Sequence, residues 1–190
     1  MDRRAAIKLL GGVPLILGNM SILQGSQITN PTLDWKPTEA QKAFLETSNN
    51  IFEATFGHTR GVGKTEVLLM YGIYHGWYKD PNFVQLFIRR NYSDLYHEAI
   101  PRSAVIYRKF IPNADFNKIN LTWTFPSGAR VYLGHCEQDE DVYKYLSMNI
   151  NLLTIDESQY FSKYILDNLS TRVRTHDKHL PAIIRSSFSR

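Results

Sequence analysis

The sequence has a single cysteine, Cys136, which excludes an internal disulfide framework and fits a reducing compartment. His135 beside it makes no metal-ligand spacing, so the pair is read as structural. No apolar run approaches the roughly 20 residues needed to cross a bilayer, so no membrane span is expected. Internal repeats and low-complexity tracts are also missing. Charge of either sign is scarcely in excess: 22 Lys and Arg against 18 Asp and Glu give +4. That balance suits a partner carrying phosphates without singling one out. What remains is an ordinary globular composition, 43% hydrophobic and 21% charged over 190 residues. It is enough for one domain with a real core.

The first residues, MDRRAAIKLLGGVPLILGNM, carry paired arginines ahead of a short apolar run, a pattern resembling a twin-arginine export signal. No A-x-A-like cleavage site follows. Lys8, Gly11, Gly12 and Pro14 break the run. Residues 1–30 are therefore read as an amphipathic arm or first helix, residues 31–190 as one domain, and the protein as cytoplasmic.

Periodicity places the elements. TEAQKAFLE should open a helix capped by Thr38. IFEATF alternates, with Phe52, Ala54 and Phe56 on one face, and reads as a strand. Helical spacing runs through TEVLLMYGIYHGWYKD and halts at Asp80-Pro81. FVQLFI and INLLTI are compact apolar runs suited to buried parallel strands. SDLYHEAIPRSAVIYRKF is helical in pieces, interrupted at Pro101. LTWTF-PSG-ARVYLGH signals a hairpin. DEDVYKYLSM is a short helix, SKYILDNLSTRVR an amphipathic one, and PAIIRSSF a last strand. Strands alternating with helices predict an α/β fold, a three-layer sandwich on a mainly parallel central sheet.

Two local patterns carry chemistry. FGHTRGVGKTEVLL holds Gly61, Val62, Gly63, Lys64 and Thr65 between a strand and a helix. A phosphate loop needs that arrangement: glycines for close backbone approach, a lysine for the β/γ oxygens, a hydroxyl for Mg²⁺, and a helix N-terminus facing the anion. The first glycine of the strict pattern is missing, because His58 stands there. Gly57, one residue earlier, is a candidate for the turn. Some ninety residues later, LLTIDES places Asp156 and Glu157 after a buried strand, as a Walker B motif does. There the Asp orders Mg²⁺ and the Glu acts as general base toward water. The two motifs in this order predict a P-loop NTPase-like site that binds ATP and Mg²⁺ and hydrolyses the nucleotide. Arg60, inside the loop, could reach the γ-phosphate or simply be solvated. Arg172 and Arg174 could act as fingers in a neighbouring subunit or only solvate a helix end. Basic Arg89, Arg90, Arg102, Arg108 and Lys109 lie mid-chain and could meet a nucleic-acid backbone or only water.

The assembled order resembles the ATPase domain of tailed-bacteriophage large terminase subunits. Beyond the Walker elements, the resemblance rests on HTRGVGKT, FIRRNYSDL, SGARVYLGHCEQDEDVYKY before INLLTIDESQYF, and YILDNLSTRVR before LPAIIRSSF. It implies a motor that packages double-stranded DNA into a capsid, as a ring on the portal protein and with a small terminase subunit. By the same resemblance Gln41 lies near the adenine, and Arg60 is the loop arginine. Ser186 and Ser187 fall at the coupling segment that senses the γ-phosphate. The chain stops where such proteins continue into a nuclease domain, so nuclease activity is not expected. Two other readings stay open: a helicase-like nucleic-acid-dependent ATPase, and a truncated module that binds nucleotide without turnover.

Overall fold

A computed structural model describes residues 7–8, 35–59 and 61–189. The strands are β1 (Ile7–Lys8), β2 (Glu53–His58), β3 (Val84–Arg89), β4 (Asp115–Asn117), β5 (Thr122–Thr124), β6 (Arg130–His135), β7 (Leu152–Ile155) and β8 (Ile183–Ser189). They form one sheet in the order β1-β2-β8-β7-β3-β6-β5-β4. All neighbours run parallel except β4–β5 and β5–β6. Of residues 1–30, only Ile7–Lys8 is described, and it adds a strand beside β2 where a helix or arm was expected; the rest of that segment lies outside the described residues.

The helices are α1 (Glu39–Leu45), α2 (Lys64–Tyr74), α3 (Tyr92–Asp94), α4 (Ile100–Phe110) and α5 (Lys163–Ser170), with a 3₁₀ segment at Asp139–Tyr145. The period-two pattern of the strands sorts side chains to two cores. Phe87, Leu152 and Ile183 join the layer of α1, α2 and α4, while Leu86, Ile88, Leu153 and Ile184 join that of α5. This is the three-layer α/β sandwich that the sequence predicts. Among the described residues no helix is long and apolar enough to cross a membrane.

Local chemistry explains the boundaries. Thr38 caps α1 in a capping box with Gln41. α2 ends at Tyr74, short of the expected Asp80, because Gly76 turns left-handed (φ 74°) into the 3₁₀ turn Trp77–Lys79. Phe52 precedes β2 and packs on the α5 side, away from Ala54 and Phe56. Pro101 does not break its helix. It sits in the first turn of α4, and the preceding Leu95–Ala99 is π-helical, widening the backbone where proline lacks a donor. β4 was not anticipated from the sequence. It is an edge strand of Asp115, Phe116 and Asn117 with no buried member. Tyr145 folds its hydroxyl onto the His135 backbone, accepting from its N–H and donating to its carbonyl, both at 3.0 Å. A Cβ at Gly134 would lie 2.5 Å from that oxygen, which ties the L-G-H and Y-K-Y patterns together.

Candidate phosphate site

β2, β8, β7 and β3 lie side by side, and their carboxyl ends gather at one edge of the sheet. Open parallel sheets bind ligands at such an edge. The loop after β2 runs into α2 through Gly61 (φ 85°) and Gly63 (φ 74°), left-handed positions that favour glycine. The Lys64 ammonium turns back into the loop, donating to the carbonyls of His58 (3.3 Å) and Thr59 (3.0 Å). The His58 ring accepts the Thr59 N–H at 2.9 Å. Gly57 does not supply the turn, as the sequence suggested it could. It is an ordinary member of β2 opposite Phe188, whose ring would lie 2.3 Å from a Cβ there.

Gln41 reaches the loop from α1. Its amide nitrogen donates to the carbonyls of Val62 (3.1 Å) and Gly63 (3.3 Å) while its oxygen accepts from the Thr38 backbone. The residue expected near an adenine therefore braces the phosphate loop.

Asp156 follows β7 and is fully buried. The Thr65 hydroxyl donates to its Oδ2 at 2.8 Å, across 91 residues of sequence. Arg89 Nε donates to the same oxygen at 2.9 Å, and the Ser187 hydroxyl to Oδ1 at 2.7 Å. A hydroxyl and a carboxylate are the hard oxygen donors that suit Mg²⁺, which keeps water and phosphate as its remaining ligands. Thr65 and Asp156 thus fit such an ion.

Glu157 stands in the left-handed region (φ 56°, ψ 54°), an uncommon state for a side-chain-bearing residue and one that collects at functional positions. Its Oε1 accepts from the Ser189 hydroxyl at 2.7 Å, and its Oε2 from the Ser189 N–H at 3.1 Å and Gln159 Nε2 at 2.6 Å. Burial pushes the Glu157 carboxyl up. Hydrogen bonds from Ser189 and Gln159, with the Lys64 charge, outweigh that and hold it below the ordinary glutamate range. It is therefore an ionised carboxylate at neutral pH.

Ser186 and Ser187 divide between neighbours: Ser186 bonds Thr55 of β2 at 2.7 Å, and Ser187 bonds Asp156 and the Glu157 N–H. β8 thereby lies between the phosphate-loop strand and the acidic strand and touches both. Arg172 and Arg174 are elsewhere. Arg172 donates to the Leu146 carbonyl, and Arg174 lines a cleft of about 850 Å³ with Val84, Arg130 and Asn151, where these strands begin. Arg60 lies outside the described residues.

Of the mid-chain basic residues, Arg102, Arg108 and Lys109 are exposed on α4, whereas Arg89 and Arg90 are engaged inside the fold. Arg89 is buried on Asp156, Arg90 donates to the Cys136 carbonyl, Arg102 pairs with Glu66 at 3.3 Å, and Arg108 lies over Trp123. Cys136 is buried, and desolvation pushes its thiol up to about 12, so it offers no thiolate at neutral pH. Sequence reasoning missed Arg89 and Ser189 as site residues. Their signal was a polar side chain at the carboxyl end of a buried parallel strand.

No protein-family model matches the sequence, and no curated protein is similar to it. Solved structures are. The large terminase of bacteriophage HK97 superposes with a TM-score of 0.64 at 13% identity, over 82% of this chain and 33% of that one. The large terminase of a thermophilic bacteriophage gives 0.62 at 13% identity, over 81% and 39%. The chain has the fold of a phage large-terminase ATPase domain. The separate large-terminase ATPase domain of Thermus phage P74-26 gives 0.55 at 11% identity, over 82% and 66%. This chain thus spans about a third to two-fifths of the first two terminases, and at these identities the likeness is one of fold. In the terminase-like frame, the phosphate loop, Asp156, Glu157 and the end of β8 share one edge.

Proposed function

We propose that this chain is the ATP-hydrolysing motor domain of a phage terminase large subunit, driving double-stranded DNA into a capsid. The observation that carries the reading is the 2.8 Å contact of Thr65 with Asp156, which joins the phosphate loop to the acidic strand with Glu157 beside it. The terminase-like fold supports it, and the thermophilic phage's terminase has been solved with ADP and with ATP-γ-S.

In the proposed reaction, backbone N–H groups from Gly61 to Thr65 and the start of α2 hold the phosphates. Lys64 exchanges its loop carbonyls for β/γ oxygens. Bound Mg²⁺ would be held by Thr65 and Asp156 and would neutralise charge on those oxygens. Glu157 accepts a proton from the attacking water as its oxygen bonds the γ-phosphorus and the bond to the ADP oxygen breaks. Arg60, in the loop, is proposed to stabilise the γ-phosphate charge. Gln41 holds the loop on the nucleotide side, and Ser186 and Ser187 report phosphate occupancy along β8. Arg174 lies where the strands begin, at the end of the sheet opposite this loop, so Arg172 and Arg174 are proposed to act, if as fingers, on a neighbouring subunit of a ring. Portal protein, a small terminase subunit and a host-cytoplasm setting complete the reading.

Double-stranded DNA should stimulate ATP turnover irrespective of sequence, and stimulation should fade as salt rises. The check is phosphate release with double-stranded, single-stranded and no DNA. Preference for single strands would favour a helicase-like motor. Bound nucleotide with no turnover, even with portal and DNA, would favour a non-catalytic module.

A further inference from the structure

Arg89 lies outside both nucleotide motifs, yet its guanidinium spans the site and an element beyond it. Nε donates to Asp156 Oδ2 at 2.9 Å; Nη1 donates to Glu98 Oε2 at 2.6 Å and to the Asp94 carbonyl at 3.0 Å. Asp94 and Glu98 stand four residues apart around the π turn Leu95–Ala99, a helical form that recurs at functional sites. The two carboxylates share one buried cation, but their surroundings differ. Asp156 is wholly buried, whereas the Glu98 side chain is 63% exposed. Arg89, Asp156, Glu157 and Asp94 also line a cleft of about 410 Å³ with Arg90, Asn91 and Tyr160.

We propose that Glu98 and Arg89 are positioning residues that set the Mg²⁺ requirement of the site through Asp156; this rests on the nucleotide-site reading above. The electrostatics give the sign. Glu98 absorbs part of the Arg89 charge, so that Asp156 keeps enough negative character to hold a dication while its oxygen stays fixed by the fork. Without the Glu98 charge, Arg89 presents a less compensated cation to Asp156. Mg²⁺ then binds less readily, while anionic nucleotide is not disfavoured.

The test is a Mg²⁺ titration of binding of a fluorescent ADP analogue to the full chain, in wild type, Glu98→Gln, Arg89→Gln and the double variant. Glutamine in place of Glu98 keeps the shape and an acceptor for Nη1, so folding is not at stake. Glu98→Gln should raise half-saturating Mg²⁺ about 10-fold, the low end for residues that hold a metal ligand. Its affinity for the analogue in EDTA should be unchanged or tighter, and the shift should vanish in the Arg89→Gln background, where no cation is left for Glu98 to compensate. A merely structural role would weaken both affinities together and would overturn the proposal, as would an unshifted titration. A wild type that binds no ADP would instead remove the nucleotide-site reading, and the proposal with it.

Discussion

Glu157→Gln should leave nucleotide binding intact and lower kcat by about 10²–10⁴-fold, the range for losing a general base. Among the described residues the side chain makes no hydrogen bond to the phosphate loop; Lys64 is satisfied by His58 and Thr59, and Thr65 by Asp156. An amide in place of the carboxylate keeps the local frame. Its oxygen can still accept the Ser189 N–H, and the Ser189 hydroxyl can turn to accept from the new NH₂. What disappears is the ability to take a proton from water. The carboxylate that Ser189, Gln159 and Lys64 hold ionised is the group the reaction needs. Nucleotide binding and phosphate release on one preparation separate the two effects. Turnover close to wild type would place the base elsewhere.

The largest effect on stability is expected at Arg185, where Arg185→Ala should cost roughly 2–4 kcal/mol. This side chain is fully buried in the middle of β8. It is held by oxygen atoms without formal charge: the Tyr71 hydroxyl at 2.7 Å and the carbonyls of Ile184 (2.8 Å), Ile51 (3.1 Å) and Ser48 (3.3 Å). Its guanidinium also lies 5.3 Å from the centre of the Tyr71 ring. Truncation leaves a cavity and removes the donor to the buried Tyr71 hydroxyl and the Ile51 carbonyl, whereas relief of a buried charge offsets part of that loss. Arg185→Met, which refills most of the volume, should lose less, and Arg185→Lys cannot reproduce the fork. Because Arg185 stands two residues before Ser187, the loosened strand should also weaken the contacts to Asp156. Urea denaturation measures the loss, and an unchanged midpoint in Arg185→Ala would refute it.

Arg185 and Arg89 show where the sequence stops being legible. The apolar runs FVQLFI and INLLTI, the helix cap at Thr38 and the Pro-Ser-Gly turn are local signals, and each produced its element. Gly61–Thr65 and Asp156–Glu157 were visible for the same reason, since each motif is contiguous and its chemistry demands those residue types. Arg89 gives no such signal. Two arginines at the end of a buried strand read as contacts to a nucleic-acid backbone or to water, and only the placement of β3 next to β7 puts the first of them on Asp156. Strand order is a tertiary property that periodicity does not encode. Ser189 was hidden likewise, because its partner Glu157 lies 32 residues away in the turn after another strand. Gly57 shows the converse: a glycine near a phosphate loop suggested a turn, but the Phe188 ring across the strand pair explains it.

Steady-state release of phosphate from ATP, with Mg²⁺, by the wild-type chain against Lys64→Ala tests the central claim most directly. Lys64 is buried in the loop with its ammonium over the carbonyls that flank the phosphate position, and it has no structural partner elsewhere in the described contacts. The account predicts turnover in the wild type and none above background in Lys64→Ala. Equal phosphate release from both proteins would contradict it.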